Sequence, residues 1–66
     1  MKSEWRVTYG LDGMSLQYYL YRLLDISRPD ILGNREYARN YYLKRGIAEK
    51  AAARLNTKEM GAVKAI

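Results

Sequence analysis

Ser15-Leu16-Gln17-Tyr18-Tyr19-Leu20-Tyr21-Arg22-Leu23-Leu24-Asp25 decides the fold, because it satisfies two periodicities at once. With a 3.6-residue period, Leu16, Tyr19, Leu20, Leu23 and Leu24 form one apolar stripe, and Asp12 or Ser15 can cap the resulting helix. With a period of two, Leu16, Tyr18, Leu20 and Leu24 face one way, interrupted by Arg22, while Tyr19, Tyr21 and Leu23 face the other. Periodicity alone favours the helix. What precedes the segment favours the strand: Trp5, Val7 and Tyr9 alternate with Arg6 and Thr8, and Gly10-Leu11-Asp12-Gly13 is turn chemistry. Three tyrosines also suit a sheet, where aromatic side chains pack across strands. The expected fold is therefore α+β, with a small all-α bundle as the runner-up.

Downstream, Ile26 to Asn34 reads as a loop: Pro29 keeps Arg28 out of the α region, and Gly33-Asn34 closes the segment. A third strand follows, with Tyr37, Tyr41 and Leu43 on one face around Arg39, and Ala38 and Tyr42 on the other. Gly46 breaks that pattern. Ile47, Ala48, Ala51, Ala52 and Leu55 then recur at helical spacing in an alanine-rich run, the best helix-forming composition. The layout predicted is β-β-β-α: antiparallel strands near residues 5–9, 16–24 and 36–43, packed on a C-terminal helix from about 46 to 56. Asn56-Thr57 reads as the helix end. Residues 1–66 form one small domain with an ordered core over 5–56 and a tail, 57–66, that frays unless Met60, Val63 and Ile66 extend the stripe.

The 66 residues contain no cysteine and no histidine. Disulfides and thiolate nucleophiles are thereby excluded, together with the usual general base and the commonest metal ligand. Ser-His-Asp and Cys-His hydrolases and ordinary zinc fingers go with them, so a non-enzymatic protein without cofactor or metal is expected. Gly10–Gly13 lacks the Lys-Ser/Thr ending of a phosphate loop. Asp25, Asp30 and Glu36 lie among Arg28 and Arg35, which favours surface ion pairs over Mg²⁺ binding. The uncharged run Gly13 to Tyr21 is far shorter than the ~20 residues that span a bilayer. Met1-Lys2-Ser3-Glu4-Trp5 carries no apolar signal region, so a cytoplasmic location without a membrane partner is expected.

The formal net charge is +5, and it is unevenly placed. Lys2, Arg6, Arg22 and Arg28 balance Glu4, Asp12, Asp25 and Asp30 in the first half. Arg35, Arg39, Lys44, Arg45, Lys50, Arg54, Lys58 and Lys64 face only Glu36, Glu49 and Glu59 in the second. A basic half beside a neutral one fits a polyanion-binding surface; the plainer alternative is a solvated helix face that maintains solubility. The aromatic set is equally skewed, with seven tyrosines, one tryptophan and no phenylalanine. Tyr18, Tyr19, Tyr21, Tyr41 or Tyr42 can stack on bases or anchor a partner protein, or simply occupy half-buried sheet positions. The binding surface expected from these two biases comprises Arg22, Arg35, Arg39, Tyr41, Tyr42, Lys44 and Arg45.

Taken together, Tyr21-Arg22-Leu23, Gly33-Asn34-Arg35-Glu36-Tyr37, Tyr41-Tyr42 and the run from Ala48 to Asn56 resemble small proteins carried by bacteriophages and prophages of Gram-positive bacteria. The resemblance spans residues 18–56 and implies a β-β-β-α layout and a mobile-element origin. One departure stands out. Such proteins often place an acidic residue or Thr ahead of the helix, whereas Lys44-Arg45-Gly46 here sets positive charge at the positive end of the helix dipole. The leading functional expectation is a phage binding protein, monomeric or homodimeric, that inhibits or modulates a host nucleoprotein machine, as anti-CRISPR proteins do. The alternatives are a DNA- or RNA-binding accessory protein with a basic, tyrosine-rich sheet face, and an oligomerising adaptor.

Overall fold

The structure is a computed structural model that describes residues 1–64, with side chains through Glu59. Strands β1 (Arg6–Asp12), β2 (Ser15–Leu23) and β3 (Arg35–Tyr42) form one antiparallel sheet in chain order, and helix α1 (Arg45–Lys64) follows. This is the β-β-β-α arrangement, and Ser15–Leu23 is a strand. Tertiary packing outweighs its helical periodicity: on both sides it finds a partner, Val7 opposite Leu20 in β1 and Tyr41 opposite Tyr19 in β3. The helical stripe would have sent Tyr19 and Leu20 to the same side, whereas the sheet sends them to opposite sides.

The first hairpin is tighter than the turn expected over Gly10–Gly13. β1 continues through Gly10, opposite Gln17, and Leu11, opposite Leu16, so the reversal is confined to Gly13-Met14. Gly13 has φ of 66° and Met14 is not positive, the pattern of a type II′ turn with glycine at its first central position. A side chain at Gly13 would be strained by that φ even though nothing occupies the space beside it.

α1 lies across one face of the sheet. Leu20, 1% exposed, is the centre of the core, packed with Trp5, Ala48 and Ala52. Val7, Tyr18, Ala38, Tyr42, Ala51 and Leu55 surround this cluster. Burying a leucine side chain contributes about 1.5–3 kcal/mol, and alanines at 48 and 52 let the helix backbone come close enough to achieve it. Ile47, predicted within the apolar stripe, is 53% exposed and points off the sheet.

The helix does not end at Asn56. It runs to Lys64, and Asn56 sits within it with its side chain engaged elsewhere. Its Oδ1 accepts from the Trp5 N–H at 2.7 Å and its Nδ2 donates to the Trp5 carbonyl at 3.1 Å. One side chain thus satisfies both backbone groups of a residue 51 positions away and pins the helix to the start of β1. The expected extension of the stripe through Met60, Val63 and Ile66 lies outside the described side chains. No described helix is long and apolar enough to cross a membrane.

Candidate functional site

The two faces of the sheet carry similar chemistry with different covers. On the helix side, the Arg22 guanidinium lies 4.4 Å from the centre of the Trp5 ring. Its Nε is 2.9 Å from Glu36 of β3, and its Nη1 is 3.0 Å from Glu59 of α1. Glu59 also accepts from the Trp5 indole N–H at 3.1 Å, and Lys2 reaches Glu36 at 3.1 Å. The Arg22 hydrogen bond, then that of Lys2, holds the Glu36 carboxyl below its usual range. Arg22, with its side chain 15% exposed, is therefore a joint between sheet and helix. Tyr42 packs beside the core on the same side. These two members of the expected binding set are part of the fold's interior.

No strand or helix among the described residues packs over the other face, although Tyr21 and Leu23 at one end of it are buried, Tyr21 beneath Arg35. Strand alternation and register bring Tyr19 beside Tyr41 and Tyr21 beside Tyr37, each pair with ring centres 6.4 Å apart and tilted at 48° and 42°. Tyr37 and Tyr41 remain 46% and 55% exposed. Arg35 lies 4.1 Å over the Tyr21 ring and forms a two-pronged contact with Asp30, Nε to Oδ1 at 2.6 Å and Nη2 to Oδ2 at 3.2 Å. Asp30, and secondarily the Tyr37 hydroxyl 3.4 Å from Nη1, raise the Arg35 pKa further above its ordinary value. The same pair pulls the Asp30 carboxyl below the usual aspartate value.

Asn34 holds the loop that presents Asp30. Predicted as a turn corner, it is 6% exposed. Its Nδ2 donates to the carbonyls of Asp25 and Pro29, both at 3.0 Å, while its Oδ1 accepts from the Asp25 N–H at 3.0 Å. All three carboxylates around this loop and the strand beside it are ion-paired: Asp25 with the N-terminal amine and Arg28, Asp30 with Arg35, and Glu36 with Lys2 and Arg22.

An irregularity in β3 gives the open face its relief. Between the pairs Tyr21–Tyr37 and Tyr19–Tyr41, Leu20 alone of β2 stands opposite Ala38, Arg39 and Asn40 of β3. Such a bulge bends the strand and parts its neighbours. Beside it lies an open cavity of about 440 Å³ walled by Thr8, Tyr9, Tyr19, Arg35, Tyr37 and Arg39, with Ala38 at its floor. Arg39 is exposed and has no carboxylate partner among the described residues.

Of the expected set, Arg35 and Tyr41 lie on this face, and Arg39, in the bulge, borders both this cavity and a groove toward α1 that Arg54 and Leu55 also line. Lys44 and Arg45 lie past the far end of β3, and Arg45 turns to Glu49 at 3.1 Å. No acidic residue occupies the first turn of α1, so the charge reversal at its N-terminus noted in the sequence persists. Lys50, Arg54 and Lys58 are exposed on the helix. The positive excess is thus divided between two sides of the molecule. Thr8 and Tyr37 were missed as site residues. The signal for Tyr37 was present, since it shares strand parity with Tyr41; Thr8 is placed only by the β1–β2 register. Comparisons with protein families, with curated proteins and with solved structures give no match to this chain.

Proposed function

We propose that the protein is a non-enzymatic binding module whose working surface is the uncovered sheet face and whose ligand is nucleic acid. The observation that carries this reading is the double tyrosine pair, Tyr19–Tyr41 and Tyr21–Tyr37, beside Arg35 and Arg39 on a face over which no strand or helix among the described residues packs. A face built for the interior would be apolar and covered. Aromatic rings interleaved with arginine supply base stacking and phosphate contact together. The resemblance to phage and prophage proteins adds a setting, the cytoplasm of a bacterial host, where such a module would act as an accessory or regulatory factor.

The test is electrophoretic mobility shift with pooled single- and double-stranded DNA and RNA, using two double variants that introduce negative charge. Thr8→Glu combined with Arg39→Glu should abolish binding, while Arg54→Glu combined with Lys58→Glu should leave most of it. Binding lost only through the helix variant would move the interface to α1 and overturn the assignment.

A second reading is an inhibitor of a host nucleoprotein machine that acts through protein contact. It is favoured by the apolar tip of the first hairpin, where Tyr9, Leu11 and Met14 are 72%, 74% and 102% exposed. A tip of that composition is unnecessary for holding nucleic acid and suits a protein interface. Capture of a host complex that survives nuclease treatment and is lost with Leu11→Ser and Met14→Ser would establish it in place of the first.

A further inference from the structure

We infer that the open face takes single-stranded nucleic acid, with unpaired bases against Tyr19, Tyr37 and Tyr41, and that it discriminates against duplex. This rests on the nucleic-acid reading above and specifies its ligand. The first argument is the balance between rings and free charge. Duplex affinity is dominated by cations that neutralise several phosphates. On this face Arg35 is committed to Asp30 and Arg6 to Glu4, at 3.4 Å, which leaves Arg39 without a carboxylate partner among the described residues. The aromatic supply is larger: Tyr19, Tyr37 and Tyr41 line the surface, and Tyr21 lies beneath Arg35. Stacking on aromatic rings adds affinity for unpaired bases one by one, a contribution that a duplex with its bases stacked inside does not gain.

The second argument is spacing. Tyr19 and Tyr21 are two residues apart on β2, about 7 Å at twice the ~3.4 Å strand rise. The exposed Tyr37 and Tyr41 are four residues apart across the bulge of β3, so the rows stand at least about 7 Å apart. Stacked bases in a duplex repeat at ~3.4 Å along each strand. Successive tyrosine rows cannot meet successive bases of a duplex, but they match a strand stretched until its bases separate. The third argument is the cavity. At about 440 Å³ it falls within the ~300–1,000 Å³ range of ligand pockets, and it lies between the two rows. A base enters such a hollow only when it is unpaired and unstacked; Thr8 and Arg39 at its wall can then bond to its edge.

Fluorescence anisotropy with labelled 12-nucleotide oligomers tests this directly. The probes are oligo-dT, oligo-U, a mixed-sequence duplex of equal length, and an abasic phosphodiester chain of equal charge, at 50 and 200 mM salt. The single strands should bind at least tenfold more tightly than the duplex. The slope of log K against log salt should be shallow, about −0.7 to −1.4 for one or two phosphates at ~0.7 each. Tyr37→Ala and Tyr41→Ala should each weaken binding by about 5- to 100-fold, while the corresponding Phe variants retain it. The abasic chain needs no substitution in the protein and should bind far more weakly than oligo-dT. Equal or tighter duplex binding, or an abasic chain that matches oligo-dT, overturns the single-strand assignment and leaves nucleic-acid binding standing. Failure of every probe to bind overturns both.

Discussion

Arg22 and Arg35 make the same kind of contact on opposite faces of one sheet, and the comparison separates what holds this fold from what it offers. Each guanidinium lies over an aromatic ring, Trp5 at 4.4 Å or Tyr21 at 4.1 Å, and each is fixed by carboxylate. Arg22 takes its carboxylates from two elements, β3 and α1, so its contacts close the helix onto the sheet. Arg35 takes Asp30 from the loop immediately before its own strand. Its contacts are local and lay only Arg35 and Asp30 over Tyr21, at one end of the face. The difference lies in sequence separation: Arg22 to Glu59 spans 37 residues and helps define the tertiary fold, whereas Arg35 to Asp30 spans five and organises a surface.

The strongest way to break the comparison is to empty the covered side. Leu20→Ala removes the most buried large side chain and should cost ~2–5 kcal/mol, most of the margin of a domain this small. Tyr41→Ala, directly across the sheet from the core and half exposed, should cost clearly less. Urea denaturation followed by circular dichroism reads both. If the two variants unfold at similar concentrations, the open face contributes as much to stability as the covered one and is not a spare surface. Leu55, only partly buried, should fall between them.

A smaller effect sharpens the same contrast. Asn56→Ala deprives both Trp5 backbone groups of their partner and should cost about 1–3 kcal/mol, the penalty for leaving buried polar groups unpaired. Asn56→Asp keeps the acceptor for the Trp5 N–H and loses the donor, so it should recover part of that loss. Thermal melts of the two variants check the order. Equal melting temperatures in the two variants would mean that the acceptor half of the contact contributes little.

Legibility in the sequence followed the range of the interactions. Strand alternation, the helix after Gly46 and the β-β-β-α order rest on periods of a few residues, and all are visible along the chain. So is the pairing of Tyr37 with Tyr41 on one face. The role of Asn56 was invisible, because a polar residue followed by Thr57 has the local appearance of a helix end, while its partner is Trp5, at the other end of the chain. Asn34 misled in the same way: its composition is that of a turn, but its function is to satisfy buried carbonyls. Arg22 and Tyr42 looked like surface chemistry for want of the register that sends them toward α1. The bulge opposite Leu20, which shapes the cavity, has no sequence signature at all, since Ala38, Arg39 and Asn40 are ordinary strand-edge residues.

The smallest expected effect is on acid stability, and it compares the two carboxylates directly. Glu36 on the covered side and Asp30 on the open side are both held below their ordinary values of 4.5 and 3.8, the first by Arg22 and then Lys2, the second by Arg35. A carboxyl whose folded pKa is depressed contributes stability that is fully present above its unfolded value and is lost as pH falls through the folded one. The melting temperature should therefore be level from neutral pH down to roughly pH 5 and decline between roughly pH 5 and pH 2. Both groups are exposed to solvent, so the loss is modest and shrinks further when salt screens the pairs. Asp30→Asn and Glu36→Gln should each start lower at neutral pH and show a shallower acid decline than the parent. Glu36→Gln should flatten it more, because it disconnects two cations and weakens the Arg22 joint, whereas Asp30→Asn disturbs only the open face. An acid limb identical in all three proteins would show that neither pair persists in solution, and Arg35 would then be free to meet phosphate itself, steepening the salt dependence of any bound strand.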